Sequence, residues 1–112
     1  MQIKKSVVYY FNGNIRYEKW HKEGDEYYWH RENGPAFISY YDTGEKRHEA
    51  WWIDSKRHKI DGPARIWYNP DGTIGEAYYI NDIELSKEEW EDHPLVQEWL
   101  IKEAMKEALE CF

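Results

Sequence analysis

Hydrophobic and polar positions alternate along most of the first 83 residues. In Ala36 to Tyr41, the side chains of Ala36, Ile38 and Tyr40 fall on one side of an extended chain and those of Phe37, Ser39 and Tyr41 on the other, because successive residues of a strand point to opposite faces. The row recurs as Ala64, Ile66 and Tyr68, and the match is wider than the strand. His30, Gly34, Pro35, Ala36, Ile38, Tyr40 and Gly44 superpose on His58, Gly62, Pro63, Ala64, Ile66, Tyr68 and Gly72 at an offset of 28, the mark of a repeated supersecondary unit. A degenerate earlier copy begins near Lys5 and carries Val7, Tyr9 and Gly13. The second halves align too, as Glu18-Lys19-Trp20-His21, Glu49-Ala50-Trp51-Trp52 and Glu76-Ala77-Tyr78-Tyr79. The chain is therefore two and a half to three copies of one unit, each expected to be two strands joined by a turn that contains Asn12-Gly13, Thr43-Gly44 or Asp71-Gly72, where glycine supplies a positive φ. Pro35 and Pro63 lack an N–H, which places them at a strand start or edge.

The period changes after Ile83. Ser86 and Glu89 fit a capping box that opens a short helix ending before Pro94. From Leu95 to about Glu110, the residues Leu95, Val96, Trp99, Leu100, Ala104, Met105, Ala108 and Leu109 recur at three- and four-residue spacing and predict a helix with one apolar stripe. Glu98 with Lys102, and Lys106 with Glu110, form i,i+4 pairs on its other side. The fold class is mainly β with C-terminal helices (α+β). We expect a single-layer stack of antiparallel β-hairpin repeats over residues 1–83, with an acidic helical segment, 84–112, capping the last hairpin within one domain; a repeat stack needs such a cover.

Composition sharpens this picture. With 112 residues, seven Trp and ten Tyr, the apolar area comes mostly from large rings. The single Cys, Cys111, has no internal disulfide partner, and the apolar run near the N-terminus stops at Asn12-Gly13, too short for a signal-peptide core. No run is long enough to span a membrane, so the expected location is cytoplasmic. The net charge of −7 is unevenly placed: residues 1–83 carry 13 acids and 12 bases, and residues 84–112 carry 9 acids and 3 bases. A nucleic-acid-binding chain normally shows a basic face, and the one dense basic cluster, Lys56-Arg57-His58-Lys59, suits a solvated hairpin tip. The partner expected from charge is a protein with a basic surface, with no direct nucleic-acid contact.

The block H-R/K-x-N/D-G-P-A, followed by alternating aromatics, a turn glycine and an E-x-aromatic-aromatic strand, resembles the MORN-variant repeats, in particular the H-R-x-D-G-P-A repeats of proteins from phages and large viruses. The resemblance covers roughly residues 5–83. It implies a curved layer of stacked hairpins used for binding rather than catalysis, and makes a counter-defence role plausible, an inhibitor of anti-CRISPR or anti-restriction type docked on a nucleic-acid-handling host protein. Two departures stand out: the turn Asp54-Ser55 replaces the usual Asn-Gly, and the segment Asp25 to Trp29, three residues longer than its counterparts, is expected to bulge from the stack.

Catalytic chemistry finds no foothold in the pattern. His30 and His58 share one repeat position, which a structural role used twice explains and a catalytic role does not. The periodic Glu18, Glu49 and Glu76 suit solvated partners of Lys or Arg. No zinc spacing, P-loop, G-x-G-x-x-G or G-x-S-x-G is present, so no catalytic residue, metal site or cofactor is expected. The rings are a different matter, since both faces of a single layer carry them and some must be exposed; Trp and Tyr are the residues that anchor interfaces. The expected protein-binding residues are Tyr27, Tyr28, Trp29, Phe37, Tyr41, Trp51, Trp52, Tyr78 and Tyr79 on the sheet, with Trp51, Trp52, Tyr78 and Tyr79 as anchors, and Glu103, Glu107 and Glu110 as acidic steering groups on the helix. A self-associating homodimer is the alternative, and a sugar-binding aromatic surface a further one.

Overall fold

The computed structural model describes residues 1–110; Cys111, whose pairing the sequence bears on, lies outside them. The repeats build one antiparallel sheet. Its strands are β1 (Ile3–Tyr9), β2 (Ile15–Lys22), β3 (Asp25–Trp29), β4 (Phe37–Tyr40), β5 (Lys46–Ala50), β8 (Arg65–Tyr68), β9 (Ile74–Ile80) and β10 (Ile83–Leu85), in the order β1-β2-β4-β5-β8-β9-β10 with β3 beside β2; β6 (Trp52–Ile53) and β7 (Lys56–Arg57) form a separate small hairpin. Two helices follow, α1 (Lys87–Glu91) and α2 (Pro94–Glu110). The mainly β, α+β meander expected from the alternation is the fold observed.

Each unit has two turns, and the sequence makes only the first obvious. In the first, Gly44 sits at φ 96° and its N–H donates to Tyr41 O at 3.0 Å, while Tyr41 N–H donates to Glu45 O; Gly13 and Gly72 close the same turn in the other copies. The second turn links β2 to β3, β6 (the two-residue strand that follows β5) to β7, and β9 to β10. Asp25–Trp29 is thus a third strand of its unit, paired to β2 at Lys22↔Asp25 and His21↔Trp29, and the register shift between the two pairs leaves Glu26, Tyr27 and Tyr28 as the expected bulge, set within a strand rather than in a free loop. In the same way Ile83–Leu85, assigned from sequence partly to the helical segment, is a strand turned at Asn81-Asp82.

The motif H-R/K-x-N/D-G-P-A is explained side chain by side chain. His30 Nδ1 accepts the N–H of Asp54 at 2.8 Å, and His58 Nδ1 accepts the N–H of Asn81 at 3.1 Å, so each histidine, at the start of its copy, pins the second turn of that copy. The other turn amide is held as well, Ser55 N–H by Trp29 O and Asp82 N–H by Arg57 O. Arg31 lies 3.9 Å from the Trp20 ring centroid and Lys59 3.8 Å from that of Trp51, cation–π contacts between the residue after each histidine and the preceding strand. Gly34 leaves room for this arrangement, since a Cβ there would stand 2.8 Å from Arg31 Cζ. After the proline, Ala36 N–H donates to Ala50 O and Ala64 N–H to Ala77 O, both at 2.9 Å. His30, Gly, Pro and Ala are scaffolding.

Asp54 (φ 49°) and Ser55 (φ 61°) hold the second turn in the left-handed region without a glycine. An L-residue there costs about 1–2 kcal/mol and glycine's extra chain entropy returns about 0.5–1. Ser55→Gly should therefore stabilise the protein by about 0.5–1 kcal/mol and raise Tm by roughly 4 °C; a lower Tm in a thermal melt would show that the Ser55 hydroxyl, 3.3 Å from Tyr27 O, matters more than backbone strain.

The open end of the stack is closed in the same manner as its interior. Trp90 of α1 packs 4.9 Å from the Tyr78 ring and donates its indole N–H to Lys59 O at 3.0 Å, covering the ring equivalent to Trp20 and Trp51 where no further repeat supplies a cation. Ile80, Trp90 and Val96 are the buried core here, with Ile60, Tyr78 and Leu85 against them. The capping box forms as expected, Glu89 N–H to Ser86 Oγ and Ser86 N–H to Glu89 Oε1. The expected single stripe of α2 does not. At about 100° per residue, Val96 and Trp99 lie on the side turned to the body, whereas Ile101, Ala104, Met105 and Ala108 lie on the opposite side. Beyond Trp99 only Glu103 is half-buried and everything else to Glu110 is exposed. Cover is supplied by α1 and the first turns of α2, and the rest of α2 stands clear. The Cα radius of gyration of 16.3 Å, against about 13 Å for a compact chain of this size, reflects that extension.

Candidate functional site

The two faces of the sheet differ in chemistry. One carries the alternating row Glu18, Ile38, Glu49, Ile66 and Glu76, one residue from each of β2, β4, β5, β8 and β9. Glu18 and Glu49 are buried, not solvated as expected. Tyr40 Oη donates to Glu18 and Tyr68 Oη to Glu49, each at 2.5 Å, and Lys5 and Lys46 complete ion pairs with them at 2.6 and 3.4 Å. Burial opposes the charge on Glu18, but the hydrogen bonds from Lys5 and Tyr40 and the charges of Lys5 and Arg31 hold its carboxyl below the ordinary value. Burial and the carboxylates push the Tyr40 and Tyr68 phenols up to about 12. Each repeat is thereby stitched to the next by a tyrosine, a role repeated on the backbone by Tyr10 Oη to Tyr40 O and Tyr41 Oη to Tyr68 O.

The opposite face carries a ladder of rings. Tyr17, Phe37, His48 and Trp67 come from β2, β4, β5 and β8, with centroid separations of 5.7, 5.9 and 5.2 Å, and Trp29 stacks on Phe37 at 5.4 Å and meets Trp52 edge-on at 5.0 Å. Arg65 lies 4.6 Å from Trp67 and Arg57 lies 4.4 Å from Tyr79 and 5.5 Å from Trp52. Two depressions of about 340 and about 390 Å³ share Phe37 and His48 along this face.

His48 accepts from Arg65 Nε at 3.3 Å, which assigns the proton of the neutral ring to Nδ1. Burial, then the charges of Arg65 and Arg47, push its pKa down to about 4; burial, then His93, lower that of His58. Both groups bind a proton less readily folded than unfolded, so their contribution is intact above the ordinary histidine value of 6.5 and declines as pH falls below it. Between pH 6.5 and roughly 5, above the range in which most carboxylates titrate, Tm should fall steadily, and His48→Phe should flatten that slope. A Tm independent of pH over this window, or an unaltered slope in the variant, would contradict the assignment.

The residues expected to bind partners fare unequally. Tyr79 is buried against Ala64 and Ala77 and is no surface anchor. Tyr78 is covered by Trp90, and Trp51 carries Lys59 on its ring. Tyr41 is tied by its hydroxyl to Tyr68 O, and Tyr28 donates to Asp54 at 3.1 Å. Trp29, Phe37 and Trp52 are half-buried and belong to the ladder, while Tyr27 is exposed. On α2, Glu107 and Glu110 are exposed and Glu103 half-buried. What sequence reasoning missed is the set Tyr17, His48, Trp67, Arg47 and Arg65; the signal was present in Tyr17 and His48, which occupy the same place in the second strands of their units.

The second exposed feature is the outer side of α2. Ile101, Met105 and Leu109 are 59, 62 and 75% exposed and follow the i, i+4, i+8 course of one helical face. Glu103, Glu107 and Glu110 lie across the helix from Ile101, Met105 and Ala108, by the same 100° rule. Among the described residues no three His, Cys, Asp or Glu side chains gather as a metal set, and no helix is long and apolar enough to cross a membrane. No protein-family model, curated protein or solved structure matches the chain.

Proposed function

We propose that the chain is a non-enzymatic protein-binding module whose repeats form a rigid platform and whose α2 presents its outer face to a partner. The observation that carries this reading is the solvent exposure of Ile101, Met105 and Leu109 on a helix whose first turns are fixed to the body by Val96. An amphipathic helix of this kind lays its apolar side into a groove. Residues 84–112 carry a net −6, from 9 acids and 3 bases, which favours a groove with a basic rim and speeds association at low salt. Nucleic-acid-handling proteins have such surfaces. In keeping with the resemblance of the repeats to those of phages and large viruses, the partner is a host protein of that kind and the chain its inhibitor.

The test is affinity capture from a bacterial host lysate with the wild-type chain and the Ile101→Asp/Met105→Asp variant side by side. A protein retained by the first and lost with the second supports the reading. Retention equal in both would place the interface elsewhere. Self-association through the same stripe is a second reading that its exposure favours. Light scattering on a size-exclusion column decides it: a dimer that the double variant converts to monomer would assign the stripe to a second copy.

A further inference from the structure

We infer that the ring ladder of the sheet is a binding site for a short single-stranded nucleic acid, separate from α2. The net charge of the chain argues against any polyanion, but the acids lie outside the two depressions of this face. The residues lining the two depressions include Arg16, Arg47, Arg57 and Arg65 and no Asp or Glu, in a chain with 22 acids and 15 bases. Arg57 is engaged by Asp82 at 2.8 Å, whereas Arg16, Arg47 and Arg65 have no carboxylate partner among the described residues. These three are the groups available to phosphates.

The rings set the rest of the ligand chemistry. Tyr17, Phe37, His48 and Trp67 follow one another across four strands at 5.2 to 5.9 Å, and the arginines lie beside rings, Arg16 at Tyr10, Arg47 at Tyr41 and Arg65 at Trp67. A row of cations beside aromatic side chains is an arrangement that binds single strands without reading sequence. A duplex hides its base faces and offers the ladder nothing to stack. A purely acidic peptide such as poly-glutamate would satisfy the arginines and leave the rings unused. At the edge of the same face the buried Trp52 Nε1 has no hydrogen-bond partner among the described residues, and Trp52 lines the depression; a buried donor of this kind calls for an acceptor.

Fluorescence anisotropy of the intact chain with labelled oligo(dT) and oligo(U) of about 12 nucleotides tests this, with a duplex of the same length and poly-glutamate as competitors. Three phosphate contacts give a log–log salt slope of roughly −2, so binding should weaken about 20-fold between about 50 and about 200 mM NaCl. Arg16 and Arg47 are both exposed, so Arg16→Ala/Arg47→Ala should keep its Tm while its salt slope flattens to roughly −0.7. The Ile101→Asp/Met105→Asp variant should bind as the wild type does, which separates this site from the proposed protein interface. Preference for oligo(U) or oligo(dT) tells RNA from DNA. Absence of any anisotropy change, a salt slope unaltered in the arginine variant, preference for the duplex, or displacement by poly-glutamate at equal charge would each overturn the inference, the last by making an acidic protein segment the occupant.

Discussion

Trp90→Ala is expected to lower stability by about 3–5 kcal/mol, the largest effect of any single substitution proposed for this chain. Trp90 is 9% exposed and packs with Ile80 and Val96, its ring lies on Tyr78, and its N–H is the donor to Lys59 O. Truncation leaves a cavity at the junction of sheet and helices and removes the donor from a carbonyl that has lost its solvent. A domain of this size holds a total of about 5–15 kcal/mol, so the variant should melt at least about 12 °C lower. Trp90→Phe, which keeps an aromatic ring but loses the N–H and part of the indole's volume, should cost about 1–3 kcal/mol. A Trp90→Ala melt within a few degrees of wild type would mean that the last repeat closes without α1.

The second large effect is on association. Ile101→Asp/Met105→Asp replaces two exposed apolar side chains of α2 and should leave Tm nearly unchanged, since surface substitutions away from packed features shift stability by about 0.5 kcal/mol or less. Bound to a partner, the same positions are buried. Anchor residues of an interface cost about 2 kcal/mol or more each when truncated, so the pair should weaken binding by roughly 10³-fold. Glu103, Glu107 and Glu110 predict a contrasting behaviour. They lie away from the stripe, and Glu→Gln at all three should slow association at low salt and change the dissociation rate little. Isothermal titration with the captured partner, together with stopped-flow at two salt concentrations, separates anchor from steering. Equal loss from both variants would merge the two roles.

Much of the scaffold was legible because it repeats. Two copies of His, Gly, Pro and Ala at one offset announced a structural role, and the hydrogen bonds from the Asp54 and Asn81 amides to His30 and His58 show what that role is. The Gly turns and the Ser86–Glu89 box were equally plain, each a local pattern with a local cause. The second turn of each unit was not, since Asp54-Ser55 and Asn81-Asp82 reach positive φ without the glycine that normally signals it, and β10 is three residues long. Glu18 and Glu49 were misplaced in solvent because their partners Tyr40 and Tyr68 come from the following copy. For α2, three- and four-residue spacing pooled Val96 and Trp99 with Met105 and Ala108, although the two sets face opposite ways; a helix that changes its apolar side midway has the same spacing statistics as one that does not. The ring ladder depends on register across four strands, so Tyr17, His48 and Trp67 come together only once the pairings Tyr17↔Ser39↔His48↔Trp67 are known.

The central claim is that the repeats are platform and the outer side of α2 is the protein-binding element. Amide hydrogen exchange on the chain alone and saturated with its captured partner tests it most directly, because residues 100–110 are almost wholly exposed in the free chain and exchange there reports local opening. The account predicts strong new protection from Leu100 to Glu110 and little change across β4 and β5. New protection confined to the sheet, with α2 exchanging as it does in the free chain, would contradict it.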